Sequence, residues 1–301
     1  MKKIKIIGFG ILLFGISTIT TAQNPPVLNA GSTIKQAYCP QTEIVIAPDF
    51  TITSSATGSD TGIDSFSIQI SAGYSINGDL LDVNLEDYPS IVKDWVPVEG
   101  KLKLTPASGT QILYTNLQEA VRKVVFKSDD ANISEERYFS FTIGSTNYLE
   151  STKHFYDYVQ EFDITWDNAK TQAEGKSYYG LKGYLVTILS AEENQIATEQ
   201  MIGTGWIGAS DAANEGVWNW VTGPELGTNF WNGLGNGSAA TDPNGNPMYS
   251  NWFAPDEPNN SGNENYAHIK ENASTWNDLK IGGNGINGGE YRAKGYIIEY
   301  G

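Results

Sequence analysis

Five oxygen-bearing side chains crowd the stretch from residue 257 to residue 278: Glu257, Asn259, Glu264, Asn277 and Asp278. Three are carboxylates and two are amides, the donor set of a hard cation. Calcium takes about 6 to 8 oxygen ligands at about 2.3 to 2.6 Å and accepts carboxylate and amide carbonyl oxygens alike. Five side chains and a backbone carbonyl would leave the ion open to water or to ligand hydroxyls. The same groups suit a sugar diol, because a carboxylate only accepts hydrogen bonds while an amide also donates. Pro258 lies between two of the donors, and a cis Glu257–Pro258 bond would turn both flanking side chains toward one point. The residues alone leave a plainer reading open: Asp256-Glu257-Pro258-Asn259-Asn260 is also a good polar turn.

The elements that would position these donors are legible upstream and downstream. A helix is expected to open at Thr165-Trp166-Asp167-Asn168-Ala169-Lys170, a strand at Gly183–Ile188, and a second helix at Ser190-Ala191-Glu192-Glu193-Asn194. Ser190 and Glu193 have the spacing of a reciprocal N-terminal cap. Then come Trp206-Ile207-Gly208-Ala209, Glu215-Gly216-Val217-Trp218-Asn219-Trp220, the donor stretch with Trp276-Asn277-Asp278, and Gly295-Tyr296-Ile297-Ile298-Glu299.

This order, over about residues 153 to 301, resembles the C-type lectin domain. The resemblance implies an α+β domain with two helices, two small antiparallel sheets and a long loop region that holds the ligand. It implies Ca2+ bound by Glu257, Asn259, Glu264, Asn277 and Asp278, with the same five residues forming the carbohydrate site. The Glu-Pro-Asn triplet goes in that family with mannose-type sugars, whose vicinal hydroxyls coordinate calcium while Glu257 and Asn259 hydrogen-bond them. Trp276 matches the buried aromatic before the last two ligands. Ile298 and Tyr266 stand where animal members of the family carry cysteines, so ordinary burial is expected to replace cross-links, which a domain of about 150 residues can support. Residues 229–249, rich in Gly, Asn and Pro, read as a long loop insertion, and Asp242, Asn244 and Asn246 within it read as a turn rather than an ion site.

The rest of the chain reads differently. Seven of the eight Trp residues lie at or beyond Trp166, which marks separate cores on either side of about residue 150. Alternating stretches at Glu43–Ile46, Ser65–Ile70, Lys101–Leu104 and Arg137–Ile143 have the period of half-buried strands, so an all-β sandwich domain is expected to precede the lectin-like one. The segment from Leu113 to Ile143 is similar to cadherin-like repeats of bacterial surface proteins. The expected division is a signal peptide at 1–22, a cadherin-like or Ig-like sandwich at 23–147 and the lectin-like domain at 148–301, joined through Gly144-Ser145-Thr146-Asn147. Asp129-Asp130 reads as an exposed turn and Cys39 as a small buried side chain.

Lys2, Lys3 and Lys5 before an apolar run and Thr20-Thr21-Ala22 give the pattern of a secretory signal peptide, hence a secreted or periplasmic bacterial protein without a membrane span. Loss of those three lysines would take the formal charge from -16 to -19. Such acidity argues against nucleic acid and anionic membranes as partners. Two histidines, His154 and His268, come with no nucleophile motif, so no enzyme is expected, although Glu257 and Glu264 could in principle form a glycosidase pair about 5 to 9.5 Å apart. The reading is a carbohydrate-binding protein whose partners are glycans. The alternative is a calcium-ordered adhesion or surface-assembly module that binds cell-surface proteins and no sugar.

Overall fold

The computed structural model describes residues 26–30, 36–53 and 62–301, apart from 110, 132, 134, 150, 179 and 272. The signal-peptide stretch lies outside the described residues. Among them, no helix is long and apolar enough to cross a membrane.

The N-terminal half is rich in strands. It runs through β1 (Val27–Asn29), β2 (Glu43–Val45), β3 (Thr51–Thr53), β4 (Gly62–Ile63), β5 (Phe66–Ala72), β6 (Asp79–Asp82), β7 (Ile91–Val96), β8 (Lys101–Pro106) and β9 (Ile112–Leu113). Helix α1 (Tyr114–Val121), β10 (Val125–Ser128) and β11 (Tyr138–Ile143) follow. A three-stranded sheet in the order β2-β10-β6 and a four-stranded one in the order β11-β5-β8-β7 enclose a core that includes Phe50, Phe66, Ile68, Leu81, Leu104 and Leu117. Asp129 and Asp130 follow β10, with Asp129 exposed as expected of a turn. Cys39 corrects the expectation of burial: it is exposed, in the turn before β2, where its carbonyl accepts from the Thr42 hydroxyl at 2.6 Å.

Two strands depart from simple alternation. Two of the three polar residues of β5 are buried as deeply as its apolar ones, Ser67 at 1% and Gln69 at 2% exposure. The reason is that this face meets the C-terminal half. Ser67 donates to the Gly144 carbonyl at 2.7 Å, and Gln69 donates to the Glu99 carbonyl at 3.2 Å while accepting from the Tyr148 N–H at 3.3 Å. Lys101 at the start of β8 is fully buried in the same contact. Its ammonium pairs with Glu99 at 2.8 Å, donates to the Ser145 carbonyl at 2.8 Å and also bonds Asn147. Burial pushes its pKa down, opposed by the Glu99 charge.

The C-terminal half contains β12 (Asn147–Leu149), β13 (His154–Gln160), α2 (Trp166–Glu174), β14 (Ser177–Tyr178), β15 (Leu181–Leu185), α3 (Ala191–Thr198), β16 (Gly205–Ser210) and β17 (Val217–Trp220). It continues through β18 (Asn229–Asn232), β19 (Ser238–Ala239), β20 (Tyr266–Ile269), β21 (Trp276–Leu279) and β22 (Gly295–Tyr300). Helix α2 buries Trp166, Ala169 and Ala173, spaced to share one face. Trp166 and Trp206 then lock helix to sheet: the first indole donates to the Ile207 carbonyl at 2.8 Å, the second to the Ile164 carbonyl at 2.9 Å. At α3 the Ser190 hydroxyl accepts from the Glu193 N–H at 3.0 Å. The return arm of that cap is shifted, because the Glu193 carboxylate takes the Leu189 N–H at 2.7 Å and the Tyr156 hydroxyl at 2.8 Å.

The expected pair of small sheets is joined into one. β16 bridges β22 through the single parallel pair Trp206 and Tyr296, and also pairs β17 and β20, so eleven strands form one connected system. Ile298 is fully buried and Tyr266 packs on Trp166 at 4.8 Å, apolar contacts at the two cysteine-replacing positions. His154 pairs with Glu299 at 2.5 Å, tying β13 to β22, while His268 is buried on β20 and held neutral, its pKa pushed down by burial to about 4. The insertion at 229–249 is more ordered than a loop. It contains β18, β19 and a bridge between Thr241 and Pro247. Asp242 forms a turn there, accepting from the N–H groups of Asn244 and Asn246 at 2.8 Å each.

Candidate calcium and carbohydrate site

The donors sit on one hairpin and the loop that leads into it. Strands β20 and β21 pair antiparallel, with Ala267 opposite Asp278 and His268 opposite Asn277. Asn277 and Asp278 are buried at 2% and 0% exposure, and Glu257 and Glu264 at 6% and 5%. Asn259 is exposed.

The Asp278 carboxylate is what fastens loop to strand. It accepts from the Asn259 N–H at 3.0 Å and the Asn260 N–H at 2.8 Å. Asn260 takes a left-handed φ of 53° and its side chain accepts from the Glu264 N–H at 2.8 Å, while the Asn259 side chain accepts from the Ser261 N–H at 2.7 Å. The loop is thus folded by short side-chain-to-backbone bonds, the local chemistry for which Asn and Asp are suited. The Glu257–Pro258 bond is cis, and so is Ala254–Pro255.

Two oxygens in this arrangement have no hydrogen-bond partner although buried: Glu257 Oε2 and Asn277 Oδ1. Leaving a buried acceptor unpaired costs about 1 to 3 kcal/mol, more for a charged one. Asn277 turns its amide nitrogen to the Asp278 carbonyl, which leaves Oδ1 as the free end of that side chain. The carboxylates also oppose one another. Burial, then a direct carboxyl-to-carboxyl hydrogen bond with Asp278 and the Asp278 and Glu264 charges, push Glu257 up to about 8, and burial with Asp278 pushes Glu264 up to about 7. Among the described residues, no three His, Cys, Asp or Glu side chains are grouped so as to hold a metal by themselves. An ion here would draw on the amides as well.

Further oxygens stand beside these that the sequence reading passes over. Asp211 Oδ1 and Asn265 Oδ1 are also buried and unpartnered. Asp211 is pushed up to about 6 by burial and by the charges of Glu215 and Asp278, which places it in the same electrostatic neighbourhood. The available signal was an Asp directly after the wholly buried strand β16.

The insertion leans on the loop from the other side. A Cβ at Gly235 would lie 2.2 Å from the Pro255 carbonyl oxygen and 3.1 Å from the Glu257 nitrogen. Gly235→Ala is therefore expected to push the insertion off the Pro255–Glu257 backbone, raising protease sensitivity of residues 229–249 with a thermal midpoint changed by only about 2 °C. Limited proteolysis beside thermal unfolding checks this.

Residues 163–281 match the family model described as the Lectin C-type domain. The chain carries a C-type lectin domain. Similar proteins include halomucin of Haloquadratum walsbyi, 32% identical over 250 residues, a stretch that is 80% of this chain and 2% of halomucin. C-type lectin domain family 4 member M of Gorilla gorilla gorilla is 32% identical over 116 residues, 38% of this chain and 24% of that protein. The chain therefore spans under a quarter of the length of these curated relatives. Among solved structures, the cow C-type carbohydrate-recognition domain of CD23, in the presence of a GlcNAc2Man3 oligosaccharide, is 25% identical with a TM-score of 0.33, covering 49% of this chain and 87% of that one. The lectin domain here includes α2, α3 and the β20–β21 hairpin with all five expected donors.

Proposed function

We propose that this is a secreted, non-enzymatic, calcium-dependent carbohydrate-binding protein, in which Glu257, Asn259, Glu264, Asn277 and Asp278 hold calcium and mannose-type sugars. The observation that carries the reading is the pair of buried, unpartnered oxygens Glu257 Oε2 and Asn277 Oδ1 beside mutually repelling carboxylates. A divalent cation satisfies both conditions at once, and the donor set of carboxylates and amides is that of calcium rather than of a softer metal. Calcium, when bound, would offer its open positions to two vicinal sugar hydroxyls. Glu257 would accept a hydrogen bond from one hydroxyl, and the Asn259 amide would donate one to the other. Asp278 would keep the loop carrying Asn259 in register with β21.

The proposal includes export through the signal peptide at 1–22, removal of which leaves a β-sandwich at 23–147 and the lectin domain at 148–301. The separate apolar cores of the two halves support that division. A single shallow site of this kind binds at about the millimolar level, worth about 4 kcal/mol, so adhesion to glycans would use clustered sites. Retention of the mature protein on immobilised mannose, with release by chelator and by free mannose, tests the reading. Unretarded passage over a densely substituted column in calcium would contradict it, and retention insensitive to free mannose would mark binding to the matrix rather than to the sugar.

Protons and calcium would compete for the same carboxylates. Because Glu257 and Glu264 are pushed up in the folded, calcium-free protein, that state binds more protons than the unfolded chain between about pH 4.5 and 8, and its stability falls as pH rises through that window. With saturating calcium the carboxylates are ionised in the folded and the unfolded chain alike above about pH 5.5, so that dependence disappears. Thermal unfolding from pH 5 to 8.5 should show stability falling with pH in chelator and a nearly flat profile in calcium.

A further inference from the structure

Trp276 directly precedes Asn277 and Asp278 and fixes both halves of the candidate site through its backbone. Its N–H donates to the Asn251 carbonyl at 2.8 Å and its carbonyl accepts from the Phe253 N–H at 2.9 Å. It thereby aligns β21 with the segment that runs into Glu257-Pro258-Asn259. Its ring stands at the centre of an aromatic group, with Trp220, Phe230, Tyr249 and Trp252 at 5.8 to 5.9 Å.

The neighbouring indoles have no polar anchor. The N–H groups of Trp218, Trp220 and Trp252 are buried without a partner, and those of Trp166, Trp206 and Trp231 go to backbone carbonyls. Trp276 differs, because its indole N–H is received by a side chain, Asn194 Oδ1, at 2.8 Å. The other end of the same amide donates to the Ser274 carbonyl at 3.0 Å, and Asn251 donates to that carbonyl at 2.8 Å. Asn194 is 4% exposed and rides on α3, whose first turn is fixed by the Ser190 cap.

We infer that Asn194 is a positioning residue for the calcium and sugar site, acting through Trp276 to hold Asn277 and Asp278 in register with Glu257 and Asn259. The inference rests on the proposed calcium site. One amide grips both the indole and the backbone two residues before it, so the entry to β21 is fixed in rotation as well as in position. Groups that orient ligands in this way commonly govern affinity without touching the ion.

The test is calcium titration of the full mature chain by calorimetry, well below every unfolding midpoint, for wild type, Asn194→Leu, Trp276→Phe and the double variant. Asn194→Leu is expected to weaken calcium about tenfold, Trp276→Phe by a similar factor, and the double variant by no more than the larger single loss, since both cut the same bond. Wild-type affinity in either folded single variant would overturn the inference, as would losses that multiply in the double variant, which a merely structural role would give. Should Asn194→Leu fail to fold, Trp276→Phe removes the bond from the other end and decides alone. Wild-type protein that takes up no calcium would overturn the site reading itself, and this inference with it.

Discussion

Asp278→Asn is expected to weaken calcium binding by about two orders of magnitude, the scale of removing one charged partner from a buried ionic arrangement, about 3 kcal/mol. The same substitution should leave the calcium-free protein as stable as wild type or more stable. Asp278 is fully buried beside Glu257 and Glu264, and its charge is among the causes that push both carboxyls up. Neutralising it relieves that repulsion, while the amide oxygen still accepts one of the N–H groups from Asn259 and Asn260. Opposite effects on affinity and on calcium-free stability are the signature of a carboxylate kept for an ion. Urea unfolding in chelator together with calcium titration checks both arms. A loss of calcium-free stability with unchanged calcium affinity would make Asp278 a loop fastener only.

Lys101→Met should destabilise the whole protein by about 3 kcal/mol, and far more than substitution of any exposed lysine. Its ammonium is fully buried between the two halves, with Glu99, Ser145 and Asn147 as partners. Asn147 in turn reaches α3, donating to the Ile196 carbonyl at 3.4 Å and to Glu199 at 3.3 Å. Removing the ammonium leaves the Glu99 carboxylate, 6% exposed, with only Lys103 at 3.1 Å to balance it. Adding Glu99→Gln should recover much of the loss, because a neutral pair carries no uncompensated charge. Urea unfolding of the three variants measures this, and a Lys101→Met cost under about 0.5 kcal/mol would show that the contact is solvated in solution.

The same residues explain what could be read from the chain before its structure. Helices α2 and α3, strands β16, β17 and β22 and the donor hairpin carry strong local signals: tryptophans at fixed offsets, a capping serine and apolar runs flanked by glycine. The five candidate donors stand out by their spacing around Pro258 and Trp276 rather than by type, since Asp256, Asn260, Asn263 and Asn265 lie among them. What escaped depends on partners distant in sequence. Nothing local to Lys101 or Gln69 announces burial, since alternation predicts their face as solvent and only the packing of the C-terminal half against β5 and β8 covers it. Cys39 is exposed for the converse reason: cysteine is a small apolar side chain by type, yet in this turn it is the neighbouring Tyr38 that packs against the core. Asp211 is not legible in the sequence, because a lone Asp after a strand has the pattern of any turn residue, and only the fold shows its unpartnered oxygen and its backbone bond to Asn265. The order in residues 229–249 was hidden because the glycines and asparagines that signal a loop also build tight strand connections.

Calorimetric titration of mannose into the full mature protein, once saturated with calcium and once in chelator, tests the central claim most directly. The account predicts saturable heat at about the millimolar level in calcium, none in chelator, and none in calcium for Asp278→Asn. Equal mannose heat with and without calcium, or none in either, would contradict it.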